Sequence, residues 1–282
     1  MSKPTHRFYA TLLDAFEGYL HSDRVYDEYW GFSDNPSKTP EEFEAEQYQG
    51  LIDRINRVPF DSEAADRGTA FNEVVDCMIL GRPSQKMLIE RIYQEVIGTH
   101  DTGVATWPEL RPIGHTNQIF GVKVEYNNRT FAFPIQLCRE FADYFAGATP
   151  QVWTEAILPT RYGDVLLCGY IDELMPLCVH DIKTTTKYSV GKFRHNWQHL
   201  VYPYCLIESG NNITDFEYNV AQLTLSRTDG SIIKTETFTE SYKFVPEVDI
   251  PRLTEQCEQF IEFLEANRHL ITDKRIFCED VV

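Results

Sequence analysis

The stretch that decides the fold is residues 155–202, EAILPTRYGDVLLCGYIDELMPLCVHDIKTTTKYSVGKFRHNWQHLVY. Short apolar, β-branched runs alternate with turn signals, and an amphipathic segment follows them. Such a pattern predicts neighbouring β-strands followed by a helix. Charged side chains recur along the predicted strands, and they are Glu155, Asp172, Asp181 and Lys183. The stretch therefore predicts a sheet with a charged group on it.

The first expected turn sets the pairing of the strands that carry Glu155 and Asp172. Gly163-Asp164 lies between two apolar runs and matches a two-residue hairpin turn with glycine first. With that turn, Glu155 would lie opposite Asp172, with their Cβ atoms about 5 Å apart. The prediction is an acidic pair across the first two strands.

A second turn brings a third acid to the same place. Pro176 suits the first inner position of a type I turn, and a reversal there places Asp172 opposite Asp181. Side chains alternate along a strand, so Asp181 and Lys183 point the same way. Three carboxylates and an ammonium group are thus expected on one face of three neighbouring strands.

This acidic group is expected to bind a divalent metal. Carboxylates packed so closely repel one another and raise each other's pKa unless a cation lies among them. Oxygen ligands of this kind suit Mg²⁺ or Mn²⁺. Lys183 would hold or polarise a water molecule, while the ion lowers the pKa of that water and neutralises charge on a phosphoryl group. The pattern predicts hydrolysis of a phosphodiester bond.

The same residues resemble the ordered motifs of the PD-(D/E)XK nuclease superfamily, and more narrowly its RecB-like branch of phage-type and CRISPR-associated exonucleases. The motifs are Glu155, then Gly169-Tyr170-Ile171-Asp172, then Asp181-Ile182-Lys183-Thr184, then Gln198-His199-Leu200-Val201-Tyr202. A lone Asp-x-Lys is common by chance, but its combination with the other motifs, in order, is fairly specific. Flanking elements would extend the resemblance to residues 60–240.

The resemblance implies an α+β (α/β) fold with a restriction-endonuclease-like core. Such a core contains a helix, three antiparallel strands, a helix and a strand, in a mixed, mainly antiparallel sheet flanked by helices. We expect it to occupy residues 61–245, with a hairpin insertion near residues 119–135. An N-terminal helical region, residues 1–60, and a C-terminal helix and tail, residues 246–282, would pack around it.

The resemblance also implies roles for the site residues. In this family Mg²⁺ or Mn²⁺ is held by two aspartates and by the carbonyl oxygen of the middle residue of Asp-x-Lys. The corresponding residues of this chain are Asp172, Asp181 and Ile182. Glu155 would complete the acidic site, and Lys183 would position the attacking water. Gln198 and Tyr202 would line the scissile strand.

One position departs from the RecB-like pattern. Many members carry Gly-Thr-x-x-His, whose histidine ligates the metal, whereas this chain reads Gly68-Thr69-Ala70-Phe71-Asn72. Asn72 would offer a carbonyl oxygen in place of an imidazole nitrogen, which weakens a preference for Mn²⁺. A catalytically silent domain that binds nucleic acid or a protein partner therefore stays open as an alternative.

The function that the resemblance implies is that of a DNA exonuclease in recombination, repair or phage DNA processing, in a bacterial cell or encoded by a phage or prophage. Its partners would be DNA and a single-strand annealing protein or a helicase, and the resemblance leaves a ring-shaped homo-oligomer open. An endonuclease or junction nuclease on the same fold is a further alternative. Cleavage of circular DNA would separate the two.

The net charge of −17 over 282 residues argues against a general attraction to phosphate backbones. The charge is uneven, however, since residues 182–207 contain no Asp or Glu. Lys187, Lys192 and Arg194 lie in this stretch and are expected to contact nucleic acid beside the metal. An exposed basic helix entry without a ligand is the alternative interpretation.

The cysteines indicate the cellular compartment of the protein and which cofactors it is expected to lack. The seven cysteines are scattered singly, with no Cys-x-x-Cys pair, signal peptide or long apolar run in the chain. This pattern predicts a reduced, soluble, cytoplasmic protein without a membrane segment. We expect no iron–sulfur cluster, because clustered C-terminal cysteines are lacking, and no ATP site, because Gly-x-x-x-x-Gly-Lys-Ser/Thr is lacking.

Periodicity of 3.6 residues predicts helices outside the central stretch. They are expected over residues 5–20, from Pro40 onward behind a Thr39 cap, and over residues 66–80, 84–97, 136–145 and 247–264. Residues 98–114 are rich in Gly, Thr and Pro and are expected to form a mobile loop over the site. Hairpin turns are expected at residues 126–129 and at Asp229-Gly230.

Overall fold

The computed structural model describes residues 3–100 and 109–279. In these ranges the chain forms, in order, β1 (His6–Tyr9), α1 (Ala10–Leu20), α2 (Ser22–Trp30), α3 (Pro40–Ile55), α4 (Glu63–Leu80), β2 (Leu88–His100), β3 (Glu109–Tyr126), β4 (Arg129–Pro134), α5 (Ile135–Tyr144), β5 (Thr149–Thr160), β6 (Gly163–Leu174), β7 (Cys178–Thr185), α6 (Gln198–Glu208), β8 (Asp215–Leu225), β9 (Ile232–Lys243) and α7 (Pro246–Ala266). The class is α+β, with a mixed, mostly antiparallel sheet flanked by helices, as the sequence predicts.

Strand β6 is the centre of the main sheet. β5 pairs with β6 in the antiparallel sense along its whole length. A strand has two edges, so β1 and β7 must share the other edge of β6. There β1 pairs in parallel with residues 165–168, and β7 pairs antiparallel with residues 173–174. Residues 169–172 therefore border an opening between β1 and β7, and β8 and β9 continue the sheet beyond β7.

Two apolar clusters attach helices to this sheet. The larger one joins α1, α3, α6 and α7 to the strands, and the Phe260 ring packs against Phe8 (4.8 Å) and Phe16 (4.7 Å) between centroids. The smaller one joins α4, α5 and a second sheet, β2-β3-β4, to the strand residues Ile182 and Ala221. Residues from both sides of the boundaries expected at 60/61 and 245/246 contribute to the larger cluster, so they share one core.

The opening helix begins later than the periodicity predicts. His6–Tyr9 form β1, and α1 begins at Ala10. Buried and partly exposed residues alternate along β1, which is typical of a strand. Phe8 precedes Leu12 by four residues, a spacing that fits the helical period of 3.6 residues and also the strand period of two. The pairing of β1 with β6 selects the strand.

The helix predicted over residues 84–97 is wrong, because Leu88–His100 form β2. Leu88 and Ile92 are four residues apart, a spacing that puts two side chains on one face of a helix and equally on one face of a strand. Pairing with β3 supplies the backbone hydrogen bonds and selects the strand. The mobile loop predicted over residues 98–114 is wrong for residues 98–100 and 109–114, which belong to these strands, and residues 101–108 lie outside the described residues.

Several local signals are confirmed. Thr39 caps α3 through a capping box with Glu42. Asn127 and Asn128 form the β3–β4 turn with φ of 48° and 59°, as a type I′ hairpin requires. The helices expected near residues 66–80, 136–145 and 247–264 are α4, α5 and α7. Across residues 3–100 and 109–279, no helix is long and apolar enough to cross a membrane.

Candidate metal centre

Asp172 lies where β6 and β7 separate. The β6–β7 ladder ends just before Asp172 and Asp181, while β7 continues along β8. Asp172 Oδ2 spans the opening, where it accepts hydrogen bonds from the Ile182 N–H (2.9 Å) and from Asn72 Nδ2 (3.2 Å). Asn72 belongs to α4, so this helix reaches the opening as well. The structure thus brings together Asn72, Asp172 and Ile182, three of the residues that the sequence predicts at the site.

Gln198 holds the second aspartate and the lysine in place. Its Nε2 donates to Asp181 Oδ1, and its Oε1 accepts a hydrogen bond from Lys183 Nζ (2.7 Å). Lys183 Nζ also lies 2.6 Å from Asp181 Oδ2. Because a carboxylate only accepts and an ammonium only donates, these contacts fix the orientation of the amide. Gln198 is 4% exposed, so it supports the pair from within the structure.

Tyr202 lies one turn further along α6 and packs against the backbone of β6. A Cβ built at Gly169 would lie 2.8 Å from Cε1 of Tyr202 and 3.2 Å from its hydroxyl oxygen. This hydroxyl also accepts a hydrogen bond from Gln198 Nε2 (3.5 Å). The glycine of the Gly-x-x-Asp motif thus leaves the space that lets α6 approach the sheet.

Replacement of Gly169 by alanine is expected to destabilise the protein by about 1–3 kcal/mol, because the new methyl group would displace the Tyr202 ring from a packed position. The midpoint of urea unfolding measures this effect. Gly50→Ala is the matched control, because a Cβ at that position of α3 meets nothing within 4 Å. Equal midpoints for wild type and Gly169→Ala would contradict the close contact.

Glu155 lies outside this group, and the prediction that it faces Asp172 is wrong. Glu155 pairs with Cys168. It is therefore about 13 Å along the strand from the position across from Asp172, at about 3.3 Å per residue. Its exposed carboxylate accepts a hydrogen bond from Trp153 Nε1 (3.1 Å). Glu155 therefore does not complete the acidic site, as the sequence predicts it should.

The position of the first hairpin turn explains this error. Thr160 pairs with Gly163, so the turn consists of residues 161–162 and not of Gly163-Asp164. The Thr160 hydroxyl donates to the Gly163 carbonyl oxygen (2.6 Å) and closes the turn. The observed register of β5 on β6 differs from the predicted one by an even number of residues. Such a shift keeps Glu155 on the predicted face of the sheet but moves it along the strand, away from Asp172.

Asp14 of α1 is a further carboxyl group near the site, and the sequence motifs do not include it. Its Oδ1 accepts a hydrogen bond from the N–H of Trp197 (2.5 Å), the residue that precedes α6. Burial raises the pKa of Asp14 to about 7, and the charges of Lys183 and Asp181 also act on it. The signal that could have indicated Asp14 is a single acid directly after two buried leucines.

The charges at the site are unbalanced. Burial raises the pKa of Asp172 to about 7, and the charge of Asp181 adds to this shift. Burial also raises the pKa of Asp181, although the Lys183 ammonium opposes the change. Burial alone would lower the pKa of Lys183, but the two aspartate charges outweigh it and raise this pKa. One ammonium thus faces three carboxyl groups, counting Asp14, and further positive charge would relieve their repulsion.

The oxygen atoms around the opening fit a hard divalent cation. Asn72 Oδ1 is buried and has no hydrogen-bond partner among the described residues. Asp172 uses Oδ2 for both of the hydrogen bonds that its side chain makes with described residues. The N–H and C=O of a residue in an extended strand point to the same edge, so the Ile182 carbonyl oxygen also faces the opening. With Asp181, these residues could supply the all-oxygen set that suits Mg²⁺ or Mn²⁺.

A second acidic pair, Asp76 of α4 and Glu173 of β6, lies next to Asp172 and was not indicated by the motifs. Glu173 is 0% exposed, and its carboxyl group interacts with that of Asp76. Burial raises the pKa of Glu173 to about 9, and the Asp76 charge contributes. Burial likewise raises the pKa of Asp76 to about 6. Burial therefore favours the protonated, neutral form of Glu173.

Glu173→Gln is expected to flatten the fall in stability between pH 5 and pH 9. A carboxyl group with a raised folded pKa contributes fully below its unfolded value of 4.5, and this contribution is lost as the pH rises through about 9. Each pH unit in that window removes about 1.4 kcal/mol. Urea unfolding in EDTA at pH 5, 7 and 9 measures the slope, with the exposed Glu247→Gln as control. A wild-type slope in the Glu173 variant would contradict the prediction.

The predicted basic residues lie on the loop that joins β7 to α6. Lys187, Lys192 and Arg194 are exposed there, and none of them lines the pocket that contains Asp172, Asp181 and Lys183. Lys192 Nζ donates hydrogen bonds to Thr185 Oγ1 and to the Lys187 carbonyl oxygen, both at 2.7 Å. The structure therefore places these cations between the strand of Lys183 and the helix of Gln198, with their side chains outside the site.

Cys178, His180 and Glu217 form a separate group of potential metal ligands. One ligand atom from each lies within 4.8 Å of the others. His180 Nδ1 also lies 3.1 Å from Asn219 Oδ1. Because neighbouring strand residues alternate, His180 points away from the face of Asp181. This sulfur, nitrogen and oxygen set would suit Zn²⁺ and not the hard cations that fit the opening.

No family model matches this chain. No curated protein matches it either. Among solved structures, the chain is similar to one described as the crystal structure of SSO0001, with a TM-score of 0.39 and 11% sequence identity, over 93% of this chain and 79% of that chain.

Proposed function

We propose that this chain is a metal-dependent deoxyribonuclease with a RecB-like PD-(D/E)XK site. The observation that carries the proposal is the convergence of Asp172, Asp181 and Lys183 at the opening between β1 and β7, with Gln198 joining the last two. A surface ion pair would not need these buried supports. The order of elements adds support, because α4, β5-β6-β7, α6 and β8 follow one another with β2 to β4 and α5 inserted.

Each residue of the site has a chemical role in this proposal. A bound Mg²⁺ or Mn²⁺ would supply a water of lowered pKa and offset charge on the phosphoryl group. Asp172, Asp181, the Ile182 carbonyl and Asn72 would hold that ion. Lys183 stays protonated because its pKa is raised, so it can orient the water or stabilise negative charge on a phosphate oxygen.

The pocket around these residues suits a nucleic-acid strand. It has a volume of about 380 Å³ and includes Trp153 and Tyr170 in its wall. These two side chains are 42% and 57% exposed, and their ring centroids lie 4.9 Å apart in an edge-to-face arrangement. Exposed aromatic rings can stack with unpaired bases. The arrangement favours a single strand at the metal centre.

The proposed activity is exonucleolytic, with a role in recombination, repair or phage DNA processing. Digestion of linear and circular DNA with Mg²⁺, Mn²⁺ or EDTA tests it. Loss of linear DNA alone supports an exonuclease, whereas cutting of circular DNA supports the endonuclease alternative. Absence of cleavage with either metal overturns the proposal and favours a binding module. Asp181→Asn is expected to abolish the metal-dependent cleavage. This result would exclude a contaminating nuclease, because a contaminant would remain active in the preparation of the variant.

A further inference from the structure

A second pocket, of about 300 Å³, lies beside the acidic one and is rich in arginine. We call it the arginine pocket; its wall contains Arg7, Tyr9, Thr11, Arg54, Arg57, Asp273 and Arg275. Tyr9 and Thr11 also line the acidic pocket. The two pockets therefore adjoin at the end of β1 and the start of α1.

Three separate segments bring the arginines together. Arg7 and Tyr9 alternate with buried residues along β1 and so share one face of the strand. Arg54 comes from the last turn of α3. Arg57 follows this helix with φ of 53°, a left-handed conformation that is uncommon for residues other than glycine. Arg275 comes from the segment after α7. The pocket thus depends on the tertiary structure and not on one motif.

Contacts hold one side of the arginine pocket rigid. Arg57 Nη2 donates to the Tyr9 hydroxyl (3.0 Å), and Arg57 Nε lies 3.0 Å from Asp273 Oδ2. Arg275 Nη2 lies 2.7 Å from the same carboxylate oxygen. Asp273 is therefore shared between two guanidinium groups.

The other side of the pocket carries uncompensated positive charge. Arg54 Nη1 donates to the Thr11 carbonyl oxygen (3.2 Å), which is a neutral partner. The Arg7 side chain has neither a hydrogen bond nor an ion pair with any described residue, and its Nε is buried without a partner. The lining therefore combines four guanidinium groups with a single carboxylate. In a chain with a net charge of −17, such a concentration of arginine indicates an anion site.

We propose that the arginine pocket binds a phosphate group of the nucleic-acid strand whose scissile bond lies at the acidic site. Guanidinium groups present paired N–H donors that match the oxygens of a phosphate. The shared wall at Tyr9 and Thr11 lets one strand occupy both pockets. This inference rests on the proposed nuclease function. A terminal phosphate monoester and an internal diester offer the same chemistry, so the ligand is a phosphate in either position.

Binding without cleavage tests the inference. Fluorescence anisotropy is measured in EDTA, and again with Ca²⁺, for single-stranded oligonucleotides that end in a 5′-phosphate, a 3′-phosphate or hydroxyl groups. Arg7→Ala and Arg54→Ala are each expected to weaken binding about tenfold, since a charge-assisted hydrogen bond is lost. The salt dependence of log K is expected to decrease by about 0.7 for each phosphate contact removed. Arg54→Lys is expected to restore part of the affinity.

Arg227→Ala is the matched control, because this exposed arginine lies between β8 and β9, at the edge of the sheet opposite β1. A loss of affinity confined to one phosphorylated end assigns the pocket to that terminus, and an equal loss for all three ends assigns it to an internal phosphate. Wild-type affinity and salt slope in both alanine variants overturn the inference. Arginine-dependent binding without metal-dependent cleavage would instead overturn the nuclease function alone.

Discussion

Lys183→Ala is expected to slow DNA cleavage by about a thousandfold, the range observed when one group that stabilises transition-state charge or moves a proton is removed. The reason is the position of Nζ, which Gln198 Oε1 and Asp181 Oδ2 hold at 2.7 Å and 2.6 Å. Single-turnover cleavage of a labelled linear duplex with saturating Mg²⁺ measures the rate of the chemical step apart from DNA binding and product release.

Two measurements separate this role from a general effect of charge. Lys234→Ala is the matched control, because this lysine is exposed on β9, at the far edge of the main sheet. Its rate should equal that of wild type. The Lys183 variant should still bind the oligonucleotide in Ca²⁺, since the loss is expected in the chemical step. A rate within a few-fold of wild type would exclude Lys183 from the reaction.

Mg²⁺ is expected to stabilise the folded protein, and more strongly at pH 8 than at pH 6. At about one hundred times the dissociation constant, the gain is about 2.7 kcal/mol. The pKa of Asp172 is raised from 3.8 to about 7 in the metal-free fold. Its contribution to stability is complete below the unfolded value and is lost as the pH rises through about 7. Protons therefore compete with the ion at pH 6 and no longer do so at pH 8.

Urea unfolding in EDTA and in Mg²⁺ at the two pH values measures this response. Asp172→Asn preserves the size of the side chain but removes its charge, so both the Mg²⁺ gain and part of the pH slope should disappear. Asp143→Asn, at an exposed position of α5, is the control and should behave as wild type. An unchanged Mg²⁺ response in the Asp172 variant would show that the ion binds elsewhere in the protein.

Interactions over short sequence distances were the ones that could be predicted. Alternation along one strand puts Asp181 and Lys183 on the same face, and the 2.6 Å contact between them agrees with that prediction. The turn at Pro176 also has the predicted place, so Asp172 and Asp181 come together. The cap at Thr39 and the turn at residues 126–129 depend on a few neighbouring residues in the same way.

The spacing of apolar residues was misleading where the helical period and the strand period coincide. Residues four apart share a face in a helix and in a strand, so Phe8 with Leu12 and Leu88 with Ile92 could not indicate which of the two forms. The choice depends on whether another strand supplies hydrogen bonds. β6 supplies them for β1, and β3 supplies them for β2.

The sequence by itself determined the acidic pair Asp172 and Asp181, the adjacent Lys183 and the helix with Gln198, because each depends on local alternation or a single turn. Only the tertiary structure decided that Glu155 lies away from them, since the register of β5 on β6 depends on where the hairpin closes. It also added Asp14 and the arginine pocket. These groups come from chain segments far apart in sequence, and the apolar core that joins the segments is what brings their side chains into one place.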